Sequence, residues 1–144
     1  MTEIIRMDSA MAWQLAGVYY VRTEGMVKGF GVPIALEFED DDVASKYVLL
    51  LVDGLPVATC RPKILDTDTA KIERVCVIEA FRSQDFGKQV ILAAEQWLKA
   101  SGVRKIIINS RDKVTGFYEK LGYTADWNRI HQGFFPEVHM EKQL

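Results

Sequence analysis

Apolar residues recur along the chain with two periods, which predict strands and helices in turn. Short apolar runs predict strands at "TEIIRM", "VPIALEF", "KYVLLLV", "LPVATCRP", "AKIERVCVI" and "VRKIIIN". The last run is β-branched and is expected to be buried on both faces. Apolar positions three or four residues apart predict a helix from Phe86 or Gly87 to about Ala100. An earlier helix is predicted through "AMAWQLAGVYYVRTEGM", with Asp8 or Ser9 as its cap.

Turn residues separate these runs and complete the order of elements. Asp53-Gly54 favours the type I′ turn of a β-hairpin, because both central residues need positive φ. The segment "DKVTGFYEKLG" predicts a short helix that Gly122 stops, and the tail predicts two strands joined near His131-Gly133. The order of strands and helices predicts a mixed α/β (α+β) fold with a strand–helix–strand centre.

Composition narrows the class of protein. The 144 residues are the size of one domain, 1–144, and 49% hydrophobic residues can bury a full core. The net charge of −2 argues against nucleic acid or an anionic membrane as partner, and no apolar run is long enough to span a bilayer. Two separate cysteines, Cys60 and Cys76, favour a reduced, cytoplasmic protein. No metal site is expected, because the two histidines show no ligand spacing.

A resemblance to a known family rests on one long segment. The run "RVCVIEAFRSQDFGKQVILAAEQWLKASGVRKIIINSRDKVTGFYEKLGY" resembles the core of GNAT (Gcn5-related) N-acetyltransferases, which have an Arg/Gln-x-x-Gly-x-Gly/Ala loop before a helix. Here the loop is Arg82 to Gly87, and the later tyrosine helix is "FYEKLGY". Both ends of the chain resemble the YjcF/ElaA-like branch. The resemblance implies a mixed, mostly antiparallel sheet of six to seven strands with flanking helices, splayed between the fourth and fifth strands.

Several positions depart from the family pattern. Asp85 replaces a loop glycine, and Gly29-Phe30 stand where the branch usually has Glu-Gln. Phe134 and Glu137 replace the glycine and histidine of the terminal motif. Arg111 stands where many acetyltransferases have asparagine. The first departure bears on the cofactor, and the others bear on the acceptor.

The strand-to-helix junction is the candidate phosphate site. Such a junction directs unpaired backbone N–H groups and a helix dipole at one point, although an ordinary capped turn has the same appearance. Asp85 tolerates the left-handed region and could cap the helix. The resemblance implies acetyl-CoA as the acetyl donor. It assigns cofactor contacts to Cys76, Val77, Arg82, Ser83, Gln84, Asp85, Phe86, Gly87, Lys88, Asn109, Arg111, Phe117 and Tyr118.

Two side chains are candidates for proton transfer. The resemblance places Tyr118 near the thioester sulfur, where a protonated phenol can donate to a leaving thiolate. Glu73 could help to deprotonate the attacking ammonium, or it could be an exposed charge at a strand start. Strand alternation predicts that Glu73 shares a face with Val75 and Val77. Cys76 is expected to be a small buried residue whose backbone, rather than its thiol, serves the reaction.

The acceptor side is less specific. Glu37 and Glu39 lie in an acidic run that could attract a cationic amine, whereas Asp40 and Asp41 are expected in a solvated turn. A second set of side chains has an acceptor role or a purely structural one. This set is Arg22, which could instead form an ion pair, and His139, which could instead be a satisfied structural histidine.

The function predicted from these residues is acetyl transfer from acetyl-CoA to a primary amine, by direct attack in a ternary complex. The alternative is a degenerate GNAT module that binds CoA or a protein partner without catalysis. A nucleotide-binding protein is disfavoured, because no Gly-x-x-x-x-Gly-Lys-Ser/Thr sequence is present. The acceptor is a small-molecule or peptide amine, and a homodimer is common in this superfamily.

Overall fold

The computed structural model describes residues 1–144, apart from the side chain of Asp41. In this described part of the chain, one sheet contains strands β1 (Thr2–Met7), β2 (Tyr47–Val52), β3 (Leu55–Ile64), β4 (Thr69–Val77), β5 (Lys105–Arg111), β6 (Thr124–Gln132) and β7 (Pro136–Gln143). The α-helices are α1 (Ala12–Arg22), α2 (Ile34–Glu37), α3 (Phe86–Ala100) and α4 (Thr115–Glu119). A π-helix, Thr23–Lys28, continues α1, and short 3-10 helices cover Asp40–Ala44, Glu79–Phe81 and Asp112–Val114. Of the described helices, none has the length and apolar character that a membrane span requires.

The strand order is β1-β2-β3-β4-β5-β7-β6, and β4–β5 is the parallel neighbour pair in an otherwise antiparallel sheet. β4 and β5 pair only where Thr69–Lys71 faces Lys105–Ile107, and beyond that point they separate. The predicted fold is therefore confirmed, including the splay between the fourth and fifth strands.

Apolar side chains form a core on each face of the sheet. On one face, α3 packs on β1 to β4, and the core beneath it includes Leu50, Ile72 and Ile106. On the other face, α1 packs against Leu49 and Cys76. β5 is less buried than expected, since Ile106 and Ile108 are buried but Asn109 is exposed. The reason is that α1 lies over β2 to β4 rather than over β5.

The Asp53-Gly54 hairpin is confirmed, with φ of 50° and 82° at the two residues. The helix caps and the run "VPIALEF" differ from expectation. Met11 rather than Asp8 or Ser9 is the N-cap of α1, and its N–H donates to the Gln14 side chain at 2.9 Å. "VPIALEF" contains the one-turn helix α2 instead of a strand.

Two features explain why α2 replaces a strand. The Pro33 carbonyl accepts hydrogen bonds from the N–H groups of Leu36 and Glu37, at 2.9 and 3.0 Å. The side chain and carbonyl of Glu37 are both held by Arg22 inside the protein. The bonds that Arg22 makes to this buried residue therefore outweigh the strand preference of its apolar neighbours.

A bulge interrupts β4 at Arg74, whose φ is 52°. The register with β3 shifts by one residue here. Glu73 lies opposite Arg61, whereas Cys76, three residues later, lies opposite Thr59, only two residues earlier in β3. Before the bulge, Glu73 lies on the α1 face; after it, Val75 and Val77 pack against the α3 core. The expectation that Glu73 shares a face with Val75 and Val77 is therefore wrong, since a bulge adds one residue and reverses the alternation.

Candidate active site

The separation of β4 and β5 opens a cleft of about 600 Å³. The π-helix, β4, the loop before α3, β5, α4 and the β6–β7 turn all border it. Among the predicted site residues, the cleft is lined by Glu37, Glu73, Cys76, Val77, Arg82, Ser83, Asp85, Phe86, Gly87, Asn109, Arg111, Phe117 and Tyr118. The other predicted residues lie outside the lining: Arg22, Glu39, Gln84, Lys88 and His139.

The loop before α3 has the shape of an anion site. Ser83 and Asp85 have left-handed backbones, with φ of 63° and 66°, which explains why glycine is usual here. Asp85 is the N-cap of α3, but its carboxylate makes no capping hydrogen bond. The first intrahelical bond runs from the N–H of Gln89 to the carbonyl of Asp85, at 3.0 Å. The preceding N–H groups of the first turn therefore lack helical acceptors.

Arg82 ties this loop to the two neighbouring elements. Its Nε donates to the carbonyl of Val77 at 3.2 Å, and its Nη2 donates to the carbonyl of Gly25 at 3.3 Å. The guanidinium carbon also lies 5.0 Å from the ring centre of Phe30. Arg82 thus holds the loop, β4 and the π-helix at fixed positions around the cleft.

Tyr118 lies on α4 where the strands separate. The side chain is 7% exposed and packs edge to face against Phe117 and Tyr123. Its hydroxyl has no hydrogen-bond partner within the described residues. Burial raises the pKa of the phenol well above its usual value, with smaller contributions from Cys60 and Glu137. The hydroxyl is therefore protonated and free to donate.

Cys76 is 4% exposed, and its thiol donates to the carbonyl of Val21 at 3.5 Å. Burial raises the pKa of this thiol to about 12, and the charge of Glu37 adds to the increase. The backbone of Gly25 comes so close that a Cβ built on it would lie 2.3 Å from the Cys76 sulfur. The side chain of Cys76 therefore packs the π-helix onto β4.

A network of buried, charged side chains lies beside the cleft. Asp42, 1% exposed, accepts hydrogen bonds from Arg22 at 2.9 Å, Arg61 at 2.5 Å and Tyr47 at 2.8 Å. Burial alone would raise the pKa of Asp42. The bonds from Arg22, the Glu39 N–H and Tyr47 outweigh it and hold that pKa far below its usual range. Asp42 is therefore a permanent counter-ion for two arginines.

Arg22 is completely buried and bonds Glu37 at 2.9 Å as well as Asp42. Its surroundings match the ion-pair alternative, with Glu37 and Asp42 from the segments after its helix as the partners. Glu37 is 2% exposed and reaches the cleft lining, whereas Glu39 is about half exposed and pairs with Arg74 at 2.5 Å. Burial by itself raises the pKa of Glu39, but the hydrogen bonds and charges of Arg74 and Arg61 outweigh it and lower that pKa overall.

The turn that follows Glu39 is only partly described. Asp40 is exposed, and the side chain of Asp41 lies outside the described part of the structure. In the described residues, no group of three or more His, Cys, Asp and Glu side chains could hold a metal ion.

The cleft carboxylates differ in their partners. Glu73 lies 3.4 Å from Arg61 and 3.8 Å from Lys71. The carboxylate of Glu137 has neither an ion pair nor a hydrogen bond to any described residue. Burial raises the pKa of Glu137, although His131, Arg74 and Lys71 oppose the change. His139 is 2.7 Å from Glu141 on the same strand, in the arrangement of a satisfied structural histidine.

Aromatic residues that the sequence did not mark as a site meet at one end of the cleft. Phe30 and Phe135 pack edge to face at 5.7 Å, and Arg111 lies 4.5 and 4.1 Å from their ring centres. Phe30 was visible only as a departure from the branch pattern. Nothing in residue spacing indicates that it meets Phe135, about a hundred residues away.

Comparison with known proteins agrees with this geometry. The protein-family model described as "Acetyltransferase (GNAT) family" matches residues 12–123. In Bacillus subtilis (strain 168), the uncharacterized N-acetyltransferase YjcF is 31% identical over 110 residues, covering 76% of this chain and 78% of that protein. A crystal structure from Lactobacillus plantarum is 30% identical, with a TM-score of 0.91 over 99% of this chain and 98% of that chain.

A more distant structure shares only the fold. It is the PaiA N-acetyltransferase of Thermoplasma acidophilum, in complex with coenzyme A, at a TM-score of 0.75 and 15% identity. It covers 100% of this chain and 99% of that chain. The splayed strands and the helix that follows β4 match the fold that the resemblance implied. The chain therefore belongs to the acetyltransferase (GNAT) family.

Proposed function

We propose that the protein is an N-acetyltransferase that moves acetyl from acetyl-CoA to a primary amine, by direct attack in a ternary complex. The observation that carries this proposal is the free, protonated hydroxyl of Tyr118 in a cleft that also contains the N-terminus of α3. Family membership supports acetyl transfer in general. The single domain over residues 1–144, the homodimer and the cytoplasmic location stay predictions.

The residues present fit the donor acetyl-CoA. The unpaired N–H groups of the first turn of α3 are placed to hold the pyrophosphate, with Arg82 and Lys88 supplying positive charge. Gly87 keeps the loop close to α4, since a Cβ there would lie 3.3 Å from the Phe117 ring. The supporting analogy is PaiA, which has this fold and holds coenzyme A.

The pantetheine arm would lie between the separated strands. After Lys71 and Ile107, β4 and β5 no longer bond each other, so the backbone groups on their facing edges are available to amides of the donor. Cys76, Val77 and Asn109 border this part of the cleft. A backbone N–H near Cys76 would also stabilise the oxyanion that forms during transfer.

Proton transfer is assigned to two side chains. The acceptor arrives as an ammonium ion, and Glu73 takes one proton, directly or through water. The nitrogen then bonds to the thioester carbonyl carbon, and the carbon–sulfur bond breaks as the carbonyl re-forms. Tyr118 gives its proton to the leaving sulfur and regains one from the nitrogen, which loses its second proton on becoming an amide. One proton is released in each cycle, through Glu73.

The first test is calorimetric titration with acetyl-CoA, with ATP as the control ligand. We expect saturable binding of acetyl-CoA and none of ATP. Failure to bind acetyl-CoA would favour the alternative, a degenerate module that serves a protein partner.

The second test is Tyr118→Phe, followed by thiol release from acetyl-CoA in the presence of an amine. General acid catalysis contributes about 10²–10⁴-fold, so kcat should fall by at least about 100-fold. The affinity for acetyl-CoA should change little, because the ring remains in place. Equal kcat in the two proteins would remove Tyr118 from the reaction.

A further inference from the structure

Arg111 and Glu137 face each other directly across the β5–β7 ladder. Opposed residues of an antiparallel pair project from the same face, with Cβ atoms about 4.5–5.5 Å apart. Both side chains also line the cleft. Despite this proximity, the two opposite charges form no ion pair, and the Glu137 carboxylate bonds no other described residue.

The aromatic end of the cleft explains why Arg111 does not turn to Glu137. Its guanidinium lies over the rings of Phe30 and Phe135, at 4.5 and 4.1 Å from their centres. A guanidinium packed through its face keeps the N–H donors of its edge available for a planar, bidentate acceptor. In the described part of the chain, no carboxylate pairs with Arg111.

A free cation and a free anion therefore stand side by side in a half-buried cleft. Groups of this kind are stabilised by a ligand that carries the opposite charges at the same short separation. The adjacent carboxylate and ammonium of an α-amino acid meet this requirement. A phosphate of the donor does not, because Glu137 would repel it.

The neighbouring wall indicates the rest of the ligand. Phe30 and Phe135 form this end of the cleft and offer apolar surface, and Met26 also lines the cleft. Arg82 is the neighbouring cation, but it already donates to the carbonyls of Val77 and Gly25, so a polar or charged side chain would lose hydration there with little gain. An apolar or aromatic side chain would bury favourable area against these three residues.

We propose that Arg111 and Glu137 form the head-group site of the acceptor, and that the acceptor is a free amino acid with an apolar side chain. Arg111 binds its carboxylate, Glu137 binds its ammonium, and Phe30 and Phe135 pack against its side chain. This assignment rests on the proposed acetyl transfer. It moves Arg111 from the donor, where the sequence resemblance placed it, to the acceptor.

The first experiment compares acids with their amides. Acetylation of L-phenylalanine, L-leucine and L-methionine is measured by thiol release beside that of the three corresponding carboxamides. Leaving a buried charge unpaired usually costs enough to lower kcat/KM by at least about 30-fold, so the carboxamides should be poorer by that factor. Chemical reactivity alone predicts the reverse order, because an amide has the less basic amine and more of it is unprotonated.

Variants then assign the preference to residues. Arg111→Gln should abolish the preference for the acid over the amide, through a higher KM for the acids. Glu137→Gln should raise KM for acids and amides alike. The matched controls are Arg104→Gln and Glu119→Gln, which change exposed residues outside the cleft and should leave both series unchanged. The dissociation constant of acetyl-CoA should be the same in all variants.

Three results would overturn the proposal. They are equal use of acids and amides, acetylation of neither series by a protein that binds acetyl-CoA, and a weakened affinity of Arg111→Gln for acetyl-CoA. The third would return Arg111 to the donor site. A wild-type protein that does not bind acetyl-CoA would instead refute the proposed function, and the acceptor site would be refuted with it.

Discussion

Gly25 is the position where the π-helix comes closest to β4, and a single methyl group there tests the packing of the cleft. A Cβ built on Gly25 lies 2.3 Å from the sulfur of Cys76 and 3.3 Å from the carbonyl oxygen of Val77. Ordinary contact distances are about 3.5–4.0 Å, so Gly25→Ala requires a movement of roughly 1 Å. The helix must retreat, because the second neighbour is backbone.

The expected loss of stability is the balance of two effects. Overpacking of this kind costs about 3 kcal/mol, near the upper end of the usual range. Alanine in place of glycine within a helix returns about 1 kcal/mol. Gly25→Ala should therefore lower the free energy of unfolding by about 2 kcal/mol.

A double-mutant cycle identifies the cause. Cys76→Ala removes the sulfur and should cost about 1 kcal/mol of burial by itself. With the sulfur absent, Gly25→Ala should cost much less, giving a coupling of about 1–2 kcal/mol between the two sites. The control is Gly116→Ala, where a Cβ would meet nothing within 4 Å, and which should be neutral or slightly stabilising.

Urea unfolding followed by tryptophan fluorescence gives each free energy by linear extrapolation. The reasoning is refuted if Gly25→Ala is as stable as the wild-type protein, or if the two substitutions are additive. A loss of stability in Gly116→Ala as large as in Gly25→Ala would show that backbone freedom, rather than the sulfur contact, is responsible.

Two further predictions concern charged residues. Asp85→Gly should bind acetyl-CoA several-fold more tightly by calorimetry, because it removes a repulsion of about 1 kcal/mol between the carboxylate and the pyrophosphate. Glycine also adopts the φ of 66° without strain, which adds to the stability of the protein rather than to its affinity. Asp85→Asn should reproduce the tighter binding if the charge is its cause, and weaker binding by both variants would mean that the carboxylate organises the loop. Asp42→Asn should lower the free energy of unfolding by about 3 kcal/mol, since it removes the buried carboxylate that Arg22 and Arg61 share and leaves them Glu37 and Glu73 as ion-pair partners. The pKa of Asp42 is lowered in the folded state, so its contribution is present above the unfolded pKa of about 3.9 and is lost as pH falls below it. Urea unfolding between pH 7 and pH 3 should therefore show a steeper decline for the wild-type protein than for Asp42→Asn, and parallel curves would contradict the assignment.

Most elements of the fold could be predicted from the sequence, because their signals are local. The apolar stripe of α3 and the turn at Asp53-Gly54 lie within single elements, and both were found. The one-turn helix at Ile34–Glu37 could not be found in this way, since its cause is a buried arginine twelve or more residues away in the chain. The bulge at Arg74 was missed for a related reason: alternation assumes an unbroken period of two.

The same difference between local and long-range signals decides which features of the candidate site could be predicted. Motif spacing located the loop that contains Asp85 and the tyrosine of α4. It could not show that Phe30 and Phe135 enclose Arg111, or that Arg111 lies opposite Glu137, because both facts depend on strand register and on contacts between distant segments. Side chains that select a ligand were therefore harder to predict than backbone that holds one.

The short pairing of β4 with β5 has a consequence for how the molecule unfolds. In the described part of the chain, the β4–β5 ladder contains three residue pairs, yet Ile72 of one half of the sheet and Ile106 of the other share a single apolar cluster with α3. Opening either half would expose the core of its neighbour to water. Side-chain packing in the cluster shared with α3 therefore couples the unfolding of the two halves. Backbone hydrogen bonds between β4 and β5 contribute little to this cooperativity, because most of the facing strand edges are unpaired.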